Sequence, residues 1–175
     1  MTIKQAHALF ESLEQMPDVF FFDRCAPGNI RLAELFHEQG VLVYYEPNEP
    51  EDRNFFRAVS VSDIVKVSNE RHPEMAFTDN YANTLFIQTM NQEGLRYRLK
   101  GGEWKKLEPV LNPNAVDGEG AGDWTTSAFI NALGKQGLPR ISNIQEHILE
   151  ACLKEAQRVA SKSVSYIGAK GLIHH

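Results

Sequence analysis

The sequence predicts an α/β fold in which a mostly parallel sheet is covered by helices on both faces. Two observations carry this. Short, near-continuous apolar runs (VFFF at Val19, VLVYY at Val41, DIVKVS at Asp63, TLFIQT at Thr84) alternate with helix-length amphipathic segments. A strand that is apolar on both sides needs cover on both sides, which parallel sheets with crossover helices provide. After Thr89 the pattern changes: LRYRLK and EWKKLE flank Gly101-Gly102 as an antiparallel β-hairpin near the C-terminal third. The expected arrangement is a single domain over residues 1–175, a length that suits a sizeable core.

Each element has a local reason. Thr2 caps a first helix whose apolar residues Ala6, Leu9, Phe10 and Leu13 recur at helical spacing, and Pro17 is expected to end it. VFFF from Val19 to Phe22 reads as a strand buried on both faces. The turn DRCAPG leads into a second helix from about Asn29 to Gln39, with Gly40 as its stop. A charged, proline-rich loop and a short helix around Phe55 to Ala58 precede the third strand. Past the hairpin, the loop LNPNAVDGEGAGD leads into a helix WTTSAFINALGK. Ser142 and Gln145 have capping-box spacing at the start of a last helix running toward Ser161, on which Cys152 shares an apolar stripe with Ile148, Ala156 and Val159.

Composition narrows the function classes. With 18 basic and 23 acidic residues the formal charge is −5, which offers no electrostatic footprint for nucleic acid or an anionic membrane. No apolar run approaches the ~20 residues that span a bilayer, and the acid-containing amphipathic N-terminus is unlike a signal peptide. Cys25 and Cys152 lie too far apart in sequence for a dense disulfide scaffold, so a reducing, cytoplasmic setting is expected. The six histidines show no zinc spacing, and His174 and His175 receive no metal role. Cys25 reads as an inert thiol and Trp104 as packing or edge cover. Arg24 and Lys66 are placed at strand ends, facing the expected ligand crevice.

One segment carries chemistry. Gly118, Gly120 and Gly122 stand just before an amphipathic helix, where tight turning exposes successive N–H groups and the helix dipole adds positive charge. Such a place suits a phosphate. Asp123 at its mouth would repel a simple phosphate ligand, and makes sense as a base that takes the proton of a hydroxyl attacking a phosphoryl group. The same spacing fits a tight turn in which Asp123 is only an N-cap, and spacing alone leaves both readings open. A P-loop would place Lys-Ser/Thr after the last glycine, where Asp123 and Trp124 stand. A dinucleotide fingerprint would follow the first strand.

VDGEGAGDWTTSAFINAL resembles the C-terminal signature of the ribokinase-like (PfkB) carbohydrate kinases, D-T-x-G-A-G-D followed by a helix of small residues. Other segments match in order. The stretch from Asp18 to Asn48 resembles the family's strand–helix–strand ending in D-P-N, and DIVKVSNER resembles the strand before N-x-x-E. FIQTMNQEGLRYRLKGGEWKKLEPV is similar to its T-x-G-x-x-G strand and hairpin, and ASKSVSYIGAKG to the closing segment beside the adenine.

The resemblance implies a three-layer α-β-α, ribokinase-like (Rossmann-like) sheet and phosphoryl transfer from ATP with Mg²⁺ to a small sugar-like hydroxyl substrate. Carried over residue by residue, Asp123 would be the general base, and Gly120, Ala121 and Gly122 the anion hole. Asp117 and Gly118 open the motif, where many members hold a monovalent cation nearby. Asn69 would stand near the Mg-phosphate cluster, and Thr89 and Gly94 would line the nucleotide.

There are departures. His72 stands where the glutamate of N-x-x-E belongs, with Glu70 close by. Asn91 replaces the first glycine of T-x-G-x-x-G, D-P-N reads Glu46-Pro47-Asn48, and Pro50 replaces an expected arginine, with Arg53 farther along. Nothing before the first strand resembles the family's sugar-binding half. The resemblance therefore implies the C-terminal, nucleotide-binding half alone, with an exposed sheet edge that a second copy or a complementary chain would cover. A nucleotide-binding or regulatory module without chemistry is the alternative.

Overall fold

The computed structural model describes residues 1–48, 53–138 and 140–174. They fold in two units, Met1–Thr89 with Arg96–Lys105, and Met90–Leu95 with Lys106–His175.

In the first unit, α1 (Ile3–Glu11) opens with a formed capping box. The Thr2 hydroxyl accepts from the Gln5 N–H at 3.3 Å, and Gln5 Oε1 accepts from the Thr2 N–H at 2.8 Å. The helix stops at Glu11, well ahead of Pro17. Ser12 ends it by sending its N–H and its hydroxyl back to the carbonyl of Leu9. Ala6 is buried, Phe10 and Leu13 are half-buried against the core, and Leu9 is exposed.

Four parallel strands follow: β1 (Val19–Phe22), β2 (Leu42–Tyr45), β3 (Ile64–Ser68) and β4 (Leu85–Thr89). α2 (Pro27–Glu38) and α3 (Phe55–Ser60) lie between them in sequence. α2 begins at Pro27, because proline's missing N–H and fixed φ suit a first helical position. It closes before Gly40, whose φ of 79° is the left-handed turn expected of a helix stop. Gly28 is held to glycine by close approach, since a Cβ there would sit 2.4 Å from the carbonyl oxygen of Thr2.

β2, β3 and β4 are buried nearly throughout, as continuous apolar strands must be. β1 is different. It ends the sheet, and Phe21 is 45 % exposed, so the expectation of a strand buried on both faces fails there. Its apolar content reflects one packed side: Phe20 and Phe22 stack on each other at 5.6 Å, and Phe20 meets Phe36 of α2 at 5.0 Å.

The sheet continues as β5 (Leu95–Arg98) and β6 (Lys105–Leu107), in the order β1-β2-β3-β4-β5-β6. The short connections from β4 to β5 and from β5 to β6 cannot make a parallel crossover, so the expected β-hairpin forms. The result is the α/β, mostly parallel sheet with flanking helices that the apolar runs predict.

In the second unit, α4 (Ala121–Lys135) packs on α5 (Glu146–Ser163), and Ala128, Phe129, Ala132 and Leu133 of the one and Leu149, Cys152, Leu153 and Ala156 of the other are all buried. Burial pushes the Cys152 thiol above its ordinary pKa, consistent with its packing role. The Ser142–Gln145 capping box does not form. Ser142 lies in a 3₁₀ turn, Ile141–Asn143, and Gln145 is the N-cap of α5 with no side-chain cap bond. No helix among the described residues is long and apolar enough to cross a membrane.

Candidate functional site

The glycine loop lies in the second unit. Gly120 is the N-cap of α4, at φ 76° and ψ −1°. A side chain there would be strained twice, by the left-handed backbone and by a Cβ 2.6 Å from the Cβ of Ala169. Gly118, in contrast, has open space around its Cβ position. Because the helix begins at Ala121, Gly122 and Asp123 are its second and third residues. The N-cap reading of Asp123 is thereby removed, since Gly120 holds that place. The Ala121 N–H bonds to Gly118 O at 3.2 Å and the Trp124 N–H to Gly120 O at 2.9 Å. Asp123 is exposed in the first turn, near the positive end of the helix, and makes no hydrogen bond or ion pair among the described residues.

This loop is braced by the chain's closing segment. Val164 O accepts from the N–H groups of Val116 and Asp117 at 2.8 and 3.1 Å. Asp117 Oδ2 accepts from the Gly168 N–H at 2.8 Å and Oδ1 from the Glu119 N–H at 2.9 Å. Those two backbone donors hold the Asp117 carboxyl below its usual pKa, Gly168 contributing more. Trp124 Nε1 donates to Ala169 O at 2.9 Å, and Asn112 Nδ2 to Ser161 O at 2.5 Å and Ser165 Oγ at 2.7 Å. Trp124 and Asn112 are positioning residues that spacing alone misses. Their only sequence signals are an indole and an amide, polar tips that need partners when packed.

Gly94 also belongs to this unit. At φ 90°, its Cβ would lie 2.3 Å from Leu107 O, so close backbone approach requires the glycine by itself. Asn91 takes φ 50°, the left-handed conformation that glycine adopts freely and asparagine tolerates best among other residues. Replacing the expected glycine therefore leaves the turn intact. An open groove of about 710 Å³ on this unit runs between Lys106, Leu107 and Val110 and the Lys154 and Arg158 side of α5. It includes none of the sequence-predicted residues. Its charges answer one another, as Arg158 with Glu155 at 2.7 Å and Lys106 with Glu108 at 3.9 Å.

The first unit holds Asn69 and Thr89. The Asn69 N–H bonds to Thr89 O at 2.9 Å, so the ends of β3 and β4 set these two residues side by side. Lys66 is not at a strand end. It lies inside β3 at 2 % exposure, with Nζ 2.6 Å from Glu46 Oε1. A buried ammonium requires such a partner, and Glu46 in place of the shorter aspartate supplies the reach. Arg24 is exposed on a loop.

His72 is buried and stacks on Phe55 at 5.2 Å and 18°. Its pKa is pushed down, first by burial and then by Arg71. Cys25 is buried with Sγ 2.7 Å from the Tyr45 hydroxyl oxygen. Trp104 is half-buried beneath the Arg96 guanidinium, 4.8 Å from the ring centroid. Pro50 and His175 lie outside the described residues.

The glycine loop ends on the N-terminus of α4, the kind of place where backbone N–H groups would hold a phosphate. His72 is stacked on Phe55 in the core, and no cluster of three His, Cys, Asp or Glu side chains is placed for a metal among the described residues.

No family model matches the sequence. It is 32 % identical over 130 residues to the ribokinase of Bacillus subtilis (strain 168), an alignment covering 73 % of this chain and 35 % of that protein. Among solved structures, ribokinase from Giardia lamblia superposes with a TM-score of 0.76 at 17 % identity, over 97 % of this chain and 59 % of that one. Arabidopsis thaliana ribokinase, complexed with ribose and ATP, superposes with a TM-score of 0.68 at 16 % identity, over 99 % of this chain and 59 % of that one. The chain thus spans about a third of the length of the curated ribokinase it matches. Its fold is ribokinase-like.

Proposed function

We propose that this chain is the nucleotide-binding, catalytic module of an ATP-dependent carbohydrate kinase. One observation carries the reading: an exposed carboxylate, Asp123, with no hydrogen bond or ion pair among the described residues, stands in the first turn of a helix that starts on a left-handed glycine. First-turn N–H groups have no partner within their own helix and face outward with the positive end of the dipole. A transferring phosphoryl group placed there meets the backbone of Gly120, Ala121 and Gly122 at the positive end of α4, where the Ala121 N–H must leave Gly118 O to reach it. Asp123 beside it takes the proton of the attacking hydroxyl, and the hydroxyl oxygen forms the new bond to phosphorus as the ADP oxygen leaves. Gly94, in the same unit as the glycine loop, lines the nucleotide in this reading.

Asp117 is a latch rather than a reacting group, since both its oxygens already accept backbone N–H groups. A monovalent cation near it is a further expectation of the same reading. Mg²⁺ supplies charge neutralisation on the phosphates when it arrives with ATP, and no step here is assigned to a protein-held metal. The acceptor class, a small sugar-like hydroxyl compound, follows the solved relative that holds ribose and ATP.

A second reading, nucleotide binding without turnover, draws on His72. The residue at the place of the expected glutamate is stacked in the core, where it organises nothing at a phosphate. Calorimetry with Mg-ATP followed by a phosphorylation assay over a sugar panel separates the two. The kinase reading expects nucleotide binding by this chain, and turnover once a candidate N-terminal, sugar-binding chain is added. Asp123→Asn then lowers turnover by about 10²–10⁴-fold while nucleotide affinity stays within a few-fold. Undiminished phosphorylation by that variant would exclude Asp123 as the base, and binding without turnover even after the candidate N-terminal chain is added would favour the second reading.

A further inference from the structure

His72 is a buried ionisable group that phosphoryl transfer leaves without a task. It stands in the turn that follows β3, and only 7 % of it is exposed. Its backbone is tied on both sides. The His72 N–H donates to Ser68 O at 2.9 Å, and the His72 carbonyl accepts from Gln88 Nε2 at 2.5 Å. Gln88 is fully buried in β4, and its Oε1 accepts from Arg96 Nε at 2.5 Å. The ring lies on Phe55 at 5.2 Å and 18°. Phe55 is enclosed in turn by Tyr45, Phe56 and Phe77, at 6.1, 5.2 and 5.2 Å. Among the described residues, the buried His72 Nε2 has no hydrogen-bond partner.

Such a place suits neutral imidazole and not imidazolium. The neutral ring carries one N–H, whereas the protonated ring carries two donors and a full charge. An aromatic cluster gives the second N–H no acceptor, and desolvation of the charge is then uncompensated. No element around the ring supplies a counter-charge. Arg57 of α3 is paired with Glu34 at 2.6 Å, and Asp79 of the 3₁₀ turn Ala76–Asn80 is bonded by Arg98. β4 brings only neutral side chains, and Arg96 of β5 is on Gln88. On the turn itself Glu70, Arg71 and Glu74 are exposed, and His72 makes no ion pair among the described residues. Burial, and after it the charge of Arg71, accordingly holds the ring below its ordinary pKa.

We propose that His72 is a proton-sensitive catch on residues 69–75. Neutral, its ring rests on Phe55 and holds the turn closed; protonated, it leaves Phe55 for solvent and the turn opens. This stands independently of the kinase reading. An open turn exposes the ring, which then takes a proton near its ordinary 6.5, whereas the closed turn takes one only at lower pH. The closed state is therefore favoured in full above about pH 6.5 and loses ground as pH falls toward the depressed closed-state value. Within that window each pH unit multiplies the open population by up to about tenfold.

Amide hydrogen exchange of the full chain, corrected for intrinsic rates, reads the opening. The Arg71 and His72 amides both bond to Ser68 O. Between about pH 7.5 and about pH 5.5 they are expected to lose at least about threefold in protection. His72→Phe keeps a ring on Phe55 that cannot be charged, and the same two amides are expected to hold their protection at both pH values. The ring resonances of His72 in the unaltered chain supply a readout that needs no variant, with a midpoint expected below 6.5. An equal loss of protection in the unaltered chain and in His72→Phe would overturn the proposal. So would a His72 ring that titrates at its ordinary value in the folded chain.

Discussion

Gly120 is the residue on which the glycine loop turns. Its left-handed backbone ends the loop and starts α4 in the same step, and the Cβ it lacks leaves room for Ala169. Gly120→Ala is therefore expected to cost about 1–3 kcal/mol of stability, read as a lower urea midpoint. Gly118→Ala, with open space at that position, is expected to stay within ~0.5 kcal/mol. Glycine spacing shows that a turn lies here but not which glycine is indispensable, because that depends on Ala169, far along the chain. The roles of Lys66 and His72 were hidden for a similar reason. A lysine in IVKVS is read as a strand end until Glu46 is known to lie 2.6 Å from it, and a histidine after Asn69 is read as polar until Phe55 stacks on it.

Helix starts show what local sequence decides and what packing overrides. Thr2 and Gln5 have the same three-residue spacing as Ser142 and Gln145, yet only the first pair forms a capping box. Near Ser142 the chain is already bent into a 3₁₀ turn whose flanks, Ile141 and Ile144, are 2 % and 3 % exposed. Burying those two apolar side chains outweighs one capping bond. Thr2→Ala is thus expected to cost about 1 kcal/mol in thermal or urea unfolding, and Ser142→Ala to be neutral within ~0.5 kcal/mol.

Four strands and the hairpin were legible from apolar runs, because continuous apolar strands demand cover on both faces. β1 was misread as doubly buried because aromatic content does not distinguish an edge from an interior strand; only strand order does. The end of α1 was misplaced because Pro17 is a strong stop signal, while Ser12, a weaker one, acts first.

For the whole molecule, the sheet order, the helix-capping glycine and the likeness to ribokinases at TM-scores of 0.76 and 0.68 agree on the fold. The candidate site was legible as a motif, since GAGD is compact in sequence. Its bracing by Val164, Gly168 and Ala169 was not, since those partners lie some forty-five to fifty residues away. In the proposed function, the N-terminus of α4 receives nucleotide phosphate. The most direct test is a titration of the full-length, ¹⁵N-labelled chain with Mg-ATP, followed residue by residue through its amide resonances. The amides of Gly120, Ala121, Gly122 and Asp123 are expected to shift and saturate together with Mg-ATP and to stay still with Mg²⁺ alone. Those four amides remaining unmoved at saturating Mg-ATP would contradict that reading.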